Sequence, residues 1–113
     1  GEVVVFKYPK NPSQRYIKRI IGLPGETVEI REGKIIINGK ILDESAYLTL
    51  SLETPGNIQL VLNKNEYFVL GDNRSSSFDS RQWGLLKEEN IVGRVYIRAW
   101  PFAALAKIEI PQY

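Results

Sequence analysis

Lys18 stands in the run Arg15-Tyr16-Ile17-Lys18-Arg19-Ile20-Ile21. On an extended strand alternate side chains point to opposite faces, so Lys18 shares a face with Tyr16 and Ile20. An aromatic and a branched aliphatic neighbour keep water from an ammonium group, and desolvation lowers a lysine pKa by disfavouring the charged form. A lysine base needs that shift, because at its ordinary pKa of ~10.4 the amine is neutral only about one time in a thousand near neutrality. On periodicity alone, however, a solvated strand lysine between Arg15 and Arg19 is the better-supported reading, since lysines are seldom buried.

A second polar cluster runs from Gly71 to Gly84 and follows the apolar stretch Tyr67-Phe68-Val69-Leu70. It contains Asp72, Asn73, Arg74, four serines, Asp79 and Arg81, the composition of a tight loop whose short side chains bond to nearby backbone. Asp79 and Arg81 are spaced to pair as a charge-assisted fork. Turn chemistry without a site is the plainer reading of such a loop.

The chain has no histidine, so a serine-histidine-aspartate triad cannot be built within it, and any hydrolytic base must be a carboxylate, a lysine or an amine. It has no cysteine either, which removes disulfides, thiol nucleophiles and zinc thiolates. A net charge of +2 with dispersed basic residues argues against a nucleic-acid partner. No stretch approaches the roughly 18 consecutive apolar residues needed to span a bilayer. With 43% hydrophobic and 25% charged residues, the 113-residue chain reads as one globular domain over residues 1–113.

The elements that must position these residues are short strands. Val3–Phe6 is a β-branched run, followed by a loop from Pro9 to Gln14 and a strand from Arg15 to Ile21. Gly22-Leu23-Pro24-Gly25 marks a turn, and Thr27–Ile30 resumes extended structure. Lys34–Leu42 is a hairpin, because Asn38-Gly39 is the pair that a type I′ turn favours. Asp43–Asn57 is mixed and polar. Strands are expected at Ile58–Leu62, Glu66–Leu70, Val92–Trp100 and Ile108–Ile110, with one helical turn between Leu86 and Asn90. The architecture is therefore mainly β.

Tyr16-Ile17-Lys18-Arg19 before Gly22-Leu23-Pro24-Gly25, and Gly71-Asp72-Asn73-Arg74 before Ser77, Asp79, Ser80 and Arg81, resemble two signature boxes of the bacterial type I signal peptidases. Gly1-Glu2-Val3-Val4-Val5-Phe6 resembles a third, with Glu2 in place of the usual Asp. The likeness covers nearly the whole chain in the expected order. It implies short antiparallel strands in a coiled, barrel-like fold and an endopeptidase that removes signal peptides from exported preproteins through a serine-lysine acyl-enzyme. Lys18 then matches the general base, and Ser77 the hydroxyl that orients its ammonium. Asp79 with Arg81 matches the ion pair bracing the loop, and Asp72, Asn73 and Arg74 a structural turn beside the site. Val5, Tyr16 and Ile17 match residues lining shallow pockets for small side chains, the origin of an Ala-x-Ala preference. No cofactor or metal is implied. The expected location is the bacterial cytoplasmic membrane with the catalytic domain on its extracytoplasmic side.

In such peptidases the nucleophilic serine lies in a Ser-Met-x-Pro-like box shortly before the Gly-Asp-Val-Val segment, and the membrane anchor lies further upstream. The chain is accordingly expected to be a cut from a longer protein that carries both. Ser13, Ser45, Ser51, Ser75, Ser76 and Ser80 match no nucleophile position, so the 113 residues alone are expected to cleave no preprotein. Trp100-Pro101-Phe102 either packs inward or meets a bilayer interface. An alternative from another class is a catalytically silent relative that acts as a binding or assembly factor. A self-cleaving repressor domain, which also uses serine and lysine, fits the Gly71–Arg81 box less well.

Overall fold

The computed structural model describes residues 1–48 and 53–95. Strands β1 (Val3–Tyr8) and β2 (Asn11–Gly22) form an antiparallel hairpin in which Val3 faces Arg19, Val4 faces Lys18 and Val5 faces Ile17. The expected loop from Pro9 to Gln14 is shorter than its composition suggested. The ladder steps from Lys7 opposite Arg15 to Tyr8 opposite Asn11. Pro12 therefore falls in a bulge, where its missing N–H removes no ladder bond.

Strands β3 (Thr27–Arg31), β4 (Lys34–Ile37), β5 (Lys40–Ile41) and β6 (Ile58–Val61) make a second sheet in the order β5-β4-β3-β6. The Asn38-Gly39 turn behaves as its residues require, with φ of 51° and 83°. The Asn38 side-chain carbonyl also accepts the Thr27 N–H at 2.9 Å, tying the turn back to β3.

Strand β7 (Glu66–Leu70) returns to the first sheet beside β2, with Arg19 opposite Leu70 and Ile20 opposite Val69. The helical turn expected between Leu86 and Asn90 is a 3-10 turn at Glu88–Asn90, and it is preceded by a short strand, β8 (Leu86–Lys87), that the sequence did not indicate. Leu86 is pulled into the sheet because its side chain is fully buried in the core and its backbone pairs with Tyr67. Strand β9 (Ile91–Val95) pairs with β1 and completes the order β8-β7-β2-β1-β9. The remainder of the Val92–Trp100 strand, the Ile108–Ile110 strand, Trp100 and Phe102 lie outside the described residues.

Mainly antiparallel β architecture is thus as the sequence indicates, but the sheets do not close into a barrel. Among the described residues each ends in free edges, β8 and β9 in one, β5 and β6 in the other. The chain crosses between the sheets at the Leu23–Glu26 turn and again between β6 and β7, and among the described strands no ladder joins the two sheets.

Two apolar clusters hold this arrangement together. Ile21, Phe68 and Leu70 pack against Val28, Ile30, Ile35 and Leu62 between the sheets. Val4, Phe6, Ile20, Val69, Trp83 and Leu86 pack on the other face of the first sheet. Gly22 packs directly against Val28, Leu62 and Phe68. A β-carbon there would lie 2.6 Å from Val28 Cγ2 and 2.8 Å from Leu62 Cδ1, so only glycine fits without movement.

Candidate active site

Lys18 occupies the centre of β2, between β1 and β7, and is half-buried. Its Nζ donates a 3.0 Å hydrogen bond to Ser77 Oγ, a residue 59 positions away in sequence. Alternation places Lys18 on the face that carries Val4, Phe6, Tyr16 and Ile20. Tyr16 belongs there to an aromatic group with Phe6, Tyr8 and Phe78. Burial holds the Lys18 amine below its ordinary pKa, Asp79 and Asp72 partly oppose the shift, and Arg81 adds to it. The solvated strand lysine that periodicity favoured is thereby set aside.

The loop that carries Ser77 is braced from inside. Asp79 is fully buried and accepts from Arg81 Nε at 2.9 Å and Arg81 Nη2 at 2.8 Å, the fork expected from their spacing. Asp79 also accepts the Gly71 N–H at 3.0 Å and caps a one-turn helix, α1 (Ser80–Trp83), with Gln82 completing the capping box. That helix is absent from the sequence reading, which treated Gly71–Gly84 as loop throughout. The Ser80 hydroxyl accepts the Val69 N–H at 2.9 Å, so the helix start is stitched to β7.

Asp72 is engaged by Arg19, whose Nε and Nη2 each donate at 2.8 Å to its two oxygens. Arg74 is buried, donates from Nε to the Gly71 carbonyl at 2.7 Å, and pairs with Glu44. Asn73 is exposed; its carbonyl accepts the Ser76 N–H at 3.1 Å and its side chain accepts from Ser75 at 3.2 Å. Val5 and Ile17 are cross-strand neighbours and, by alternation, occupy the face opposite Lys18, whereas Tyr16 shares its face. A cleft of about 680 Å³ opens beside Ser77, between the 55–58 segment and the 74–78 loop.

Sequence reasoning did not single out Arg19, Glu44, Tyr47 or Thr54. Arg19 Cζ lies 3.9 Å from the centre of the Tyr47 ring, and Arg74 Nη1 donates to Thr54 Oγ1 at 3.0 Å. Arg19 stands next to Lys18 in the signature box, which is the one signal that pointed to it.

An antiparallel β domain that presents a partly dried lysine amine to a hydroxyl, with an internally braced loop behind the hydroxyl, defines a lysine-centred site and no histidine-based one. The chain belongs to the family described as signal peptidase, peptidase S26, whose sequence profile matches residues 1–100. It is 41% identical over 106 residues to a probable signal peptidase I-2 of Synechocystis sp., covering 89% of this chain and 48% of that protein. It is 42% identical over 120 residues to signal peptidase IB of Staphylococcus aureus, covering 91% and 61%. Its fold matches the crystal structure of a signal peptidase I from Enterococcus faecalis with a TM-score of 0.71 and 34% identity, covering 84% of this chain and 93% of that one. The chain spans about half to three-fifths of the length of the curated relatives it matches.

Proposed function

We propose that the protein removes N-terminal signal peptides from exported preproteins, cutting after Ala-x-Ala by acyl transfer, with Lys18 as general base. The Lys18–Ser77 hydrogen bond of 3.0 Å, made by an amine whose pKa burial lowers, carries this reading. Neutral Lys18 takes the proton of a serine hydroxyl as that oxygen attacks the scissile carbonyl. The resulting ammonium protonates the leaving amine as the peptide bond breaks. Lys18, neutral again, then takes a proton from the water that hydrolyses the acyl-enzyme. Ser77 accepts from Nζ and aims the amine throughout.

The nucleophile is assigned to a serine outside residues 1–113. Among the described residues Ser80 is buried with its hydroxyl accepting from Val69, Ser13 lies at the exposed start of β2, and Ser45, Ser75 and Ser76 are exposed in turns, while Ser51 lies outside them. The 113 residues alone are then expected to turn over no Ala-x-Ala peptide. Small side chains before the cleavage point are assigned to shallow pockets lined by Val5, Tyr16 and Ile17, with the signal peptide bound as an added strand. The reading places the protein at the bacterial cytoplasmic membrane, acting on its outer side. In the full-length protein Lys18→Ala is expected to lower kcat by about 100-fold or more while leaving the melting temperature close to normal. Near-normal turnover by that variant would reject the reading.

A further inference from the structure

The turn at residues 43–48 reaches the site from a side that the proposed reaction does not use. Two arginines flank the lysine–hydroxyl pair in sequence, Arg19 next to Lys18 and Arg74 three residues before Ser77, and this turn grips both. The Glu44 carboxylate accepts from Arg74 Nη1 at 2.8 Å and Nη2 at 2.6 Å. The Tyr47 ring lies under the Arg19 guanidinium at 3.9 Å, a cation–π contact. The Tyr47 hydroxyl then donates to the same Glu44 carboxylate at 2.8 Å. Backbone bonds from Tyr47 N and Leu48 N to the Glu44 carbonyl, at 3.1 and 2.9 Å, keep the two side chains on one side of the turn.

The contacts close a ring. Glu44 holds Arg74 in the loop, the loop's Asp72 holds Arg19 on β2, Arg19 stacks on Tyr47, and Tyr47 returns to Glu44. The side chain of Arg74 is 1% exposed and that of Glu44 14%, so the Glu44 end of the ring is shielded from solvent and screening salt. Charged pairs of this geometry add directional constraint as well as attraction.

We propose that Glu44 and Tyr47 are positioning residues that clamp the Ser77 loop to β2 and thereby set the spacing between the Lys18 amine and the Ser77 hydroxyl. The proposal rests on the lysine-base reading given above. The charged groups acting on Lys18 are Asp79, Asp72 and Arg81; Glu44 and Tyr47 act only through the loop and Arg19. Loosening the ring lets water reach Lys18 and draws Ser77 from it, so the amine reverts toward its ordinary basicity.

The test compares Glu44→Gln, Tyr47→Phe and Tyr47→Leu in the full-length protein, using an Ala-x-Ala peptide and a pH series. For Glu44→Gln, kcat is expected to fall about tenfold, short of the hundredfold that a 1 Å misplacement costs. KM is expected to stay within about twofold, because substrate contacts are untouched. The acid limb of kcat/KM moves to higher pH. Tyr47→Phe keeps the stacked ring and gives a smaller change in the same direction, and Tyr47→Leu a larger one. Ile35→Val, in the core between the sheets, serves as a control for destabilisation and leaves kcat and the pH profile unchanged. Lowered melting temperatures in the Glu44 and Tyr47 variants with unaltered kcat and acid limb would overturn the clamp. Should Glu44→Gln fail to fold, Tyr47→Phe decides. If Lys18→Ala is inactive while these variants behave as wild type, the clamp alone fails; if Lys18→Ala is active, the lysine-base reading fails first.

Discussion

Replacing Asp79 by alanine removes a fully buried carboxylate that accepts from Gly71 N, Arg81 N, Arg81 Nε and Arg81 Nη2 at 2.8 to 3.1 Å. The Arg81 side chain is only 7% exposed and would keep its charge with its carboxylate gone. Breaking one side of a buried pair costs about 3–5 kcal/mol, far more than losing an exposed pair. The helix cap lost with it accounts for about 1 kcal/mol, part of which the same hydrogen bonds already count. A total near 4 kcal/mol is a large share of the ~5–15 kcal/mol that stabilises a small domain. At roughly 4–6 °C per kcal/mol, the melting temperature should fall by about 15–25 °C.

Urea and thermal unfolding measure the loss, and a double-mutant cycle with Arg81→Met isolates the pair, whose coupling should be about 2 kcal/mol or more. A loss below about 1 kcal/mol would refute the claim that this ion pair braces the loop. The variant also has a signed effect on Lys18. Asp79 favours the ammonium form and Arg81 disfavours it, so the lost charge by itself moves the acid limb of activity to lower pH, while hydration of Lys18 by the unbraced loop moves it to higher pH.

Gly22→Ala would put a β-carbon within 2.6 Å of Val28 and 3.2 Å of Phe68, and overpacking of this kind should cost about 1–3 kcal/mol by urea unfolding. Lys18→Met should change how stability depends on pH. The folded protein holds the amine below its ordinary value of 10.5, so between the two pKa values the unfolded chain binds more protons and wild-type stability rises with pH. Lys18→Met lacks that slope, and its advantage at neutral pH should shrink as pH climbs toward 10.5; a gap constant with pH would contradict the shift.

What the sequence made legible was mostly local. Asn38-Gly39 specifies its own turn, and Asp79 and Arg81 are two residues apart, so their fork follows from spacing. The face shared by Tyr16, Lys18 and Ile20 follows from strand alternation, but the drying of Lys18 depends on the loop that packs beside it, and periodicity alone pointed the other way. Ser77 came into view through resemblance, because no local pattern joins residues 59 apart. Arg19 with Asp72, 53 apart, and Arg74 with Glu44, 30 apart, stayed hidden for the same reason. The helical turn at Glu88–Asn90 was legible, but the short strand at Leu86–Lys87 was not, because it depends on tertiary burial of Leu86 and pairing with Tyr67. The bulge that absorbs Pro12 is a register effect, visible only once both strands are paired.

The most direct test is an NMR titration of the lysine side chains in the full-length protein, with the Lys18 resonance assigned by its loss in Lys18→Met. The account predicts that Lys18 titrates below the other lysines and that Ser77→Ala changes its midpoint. A Lys18 signal that titrates together with the remaining lysines, indifferent to Ser77, would contradict it.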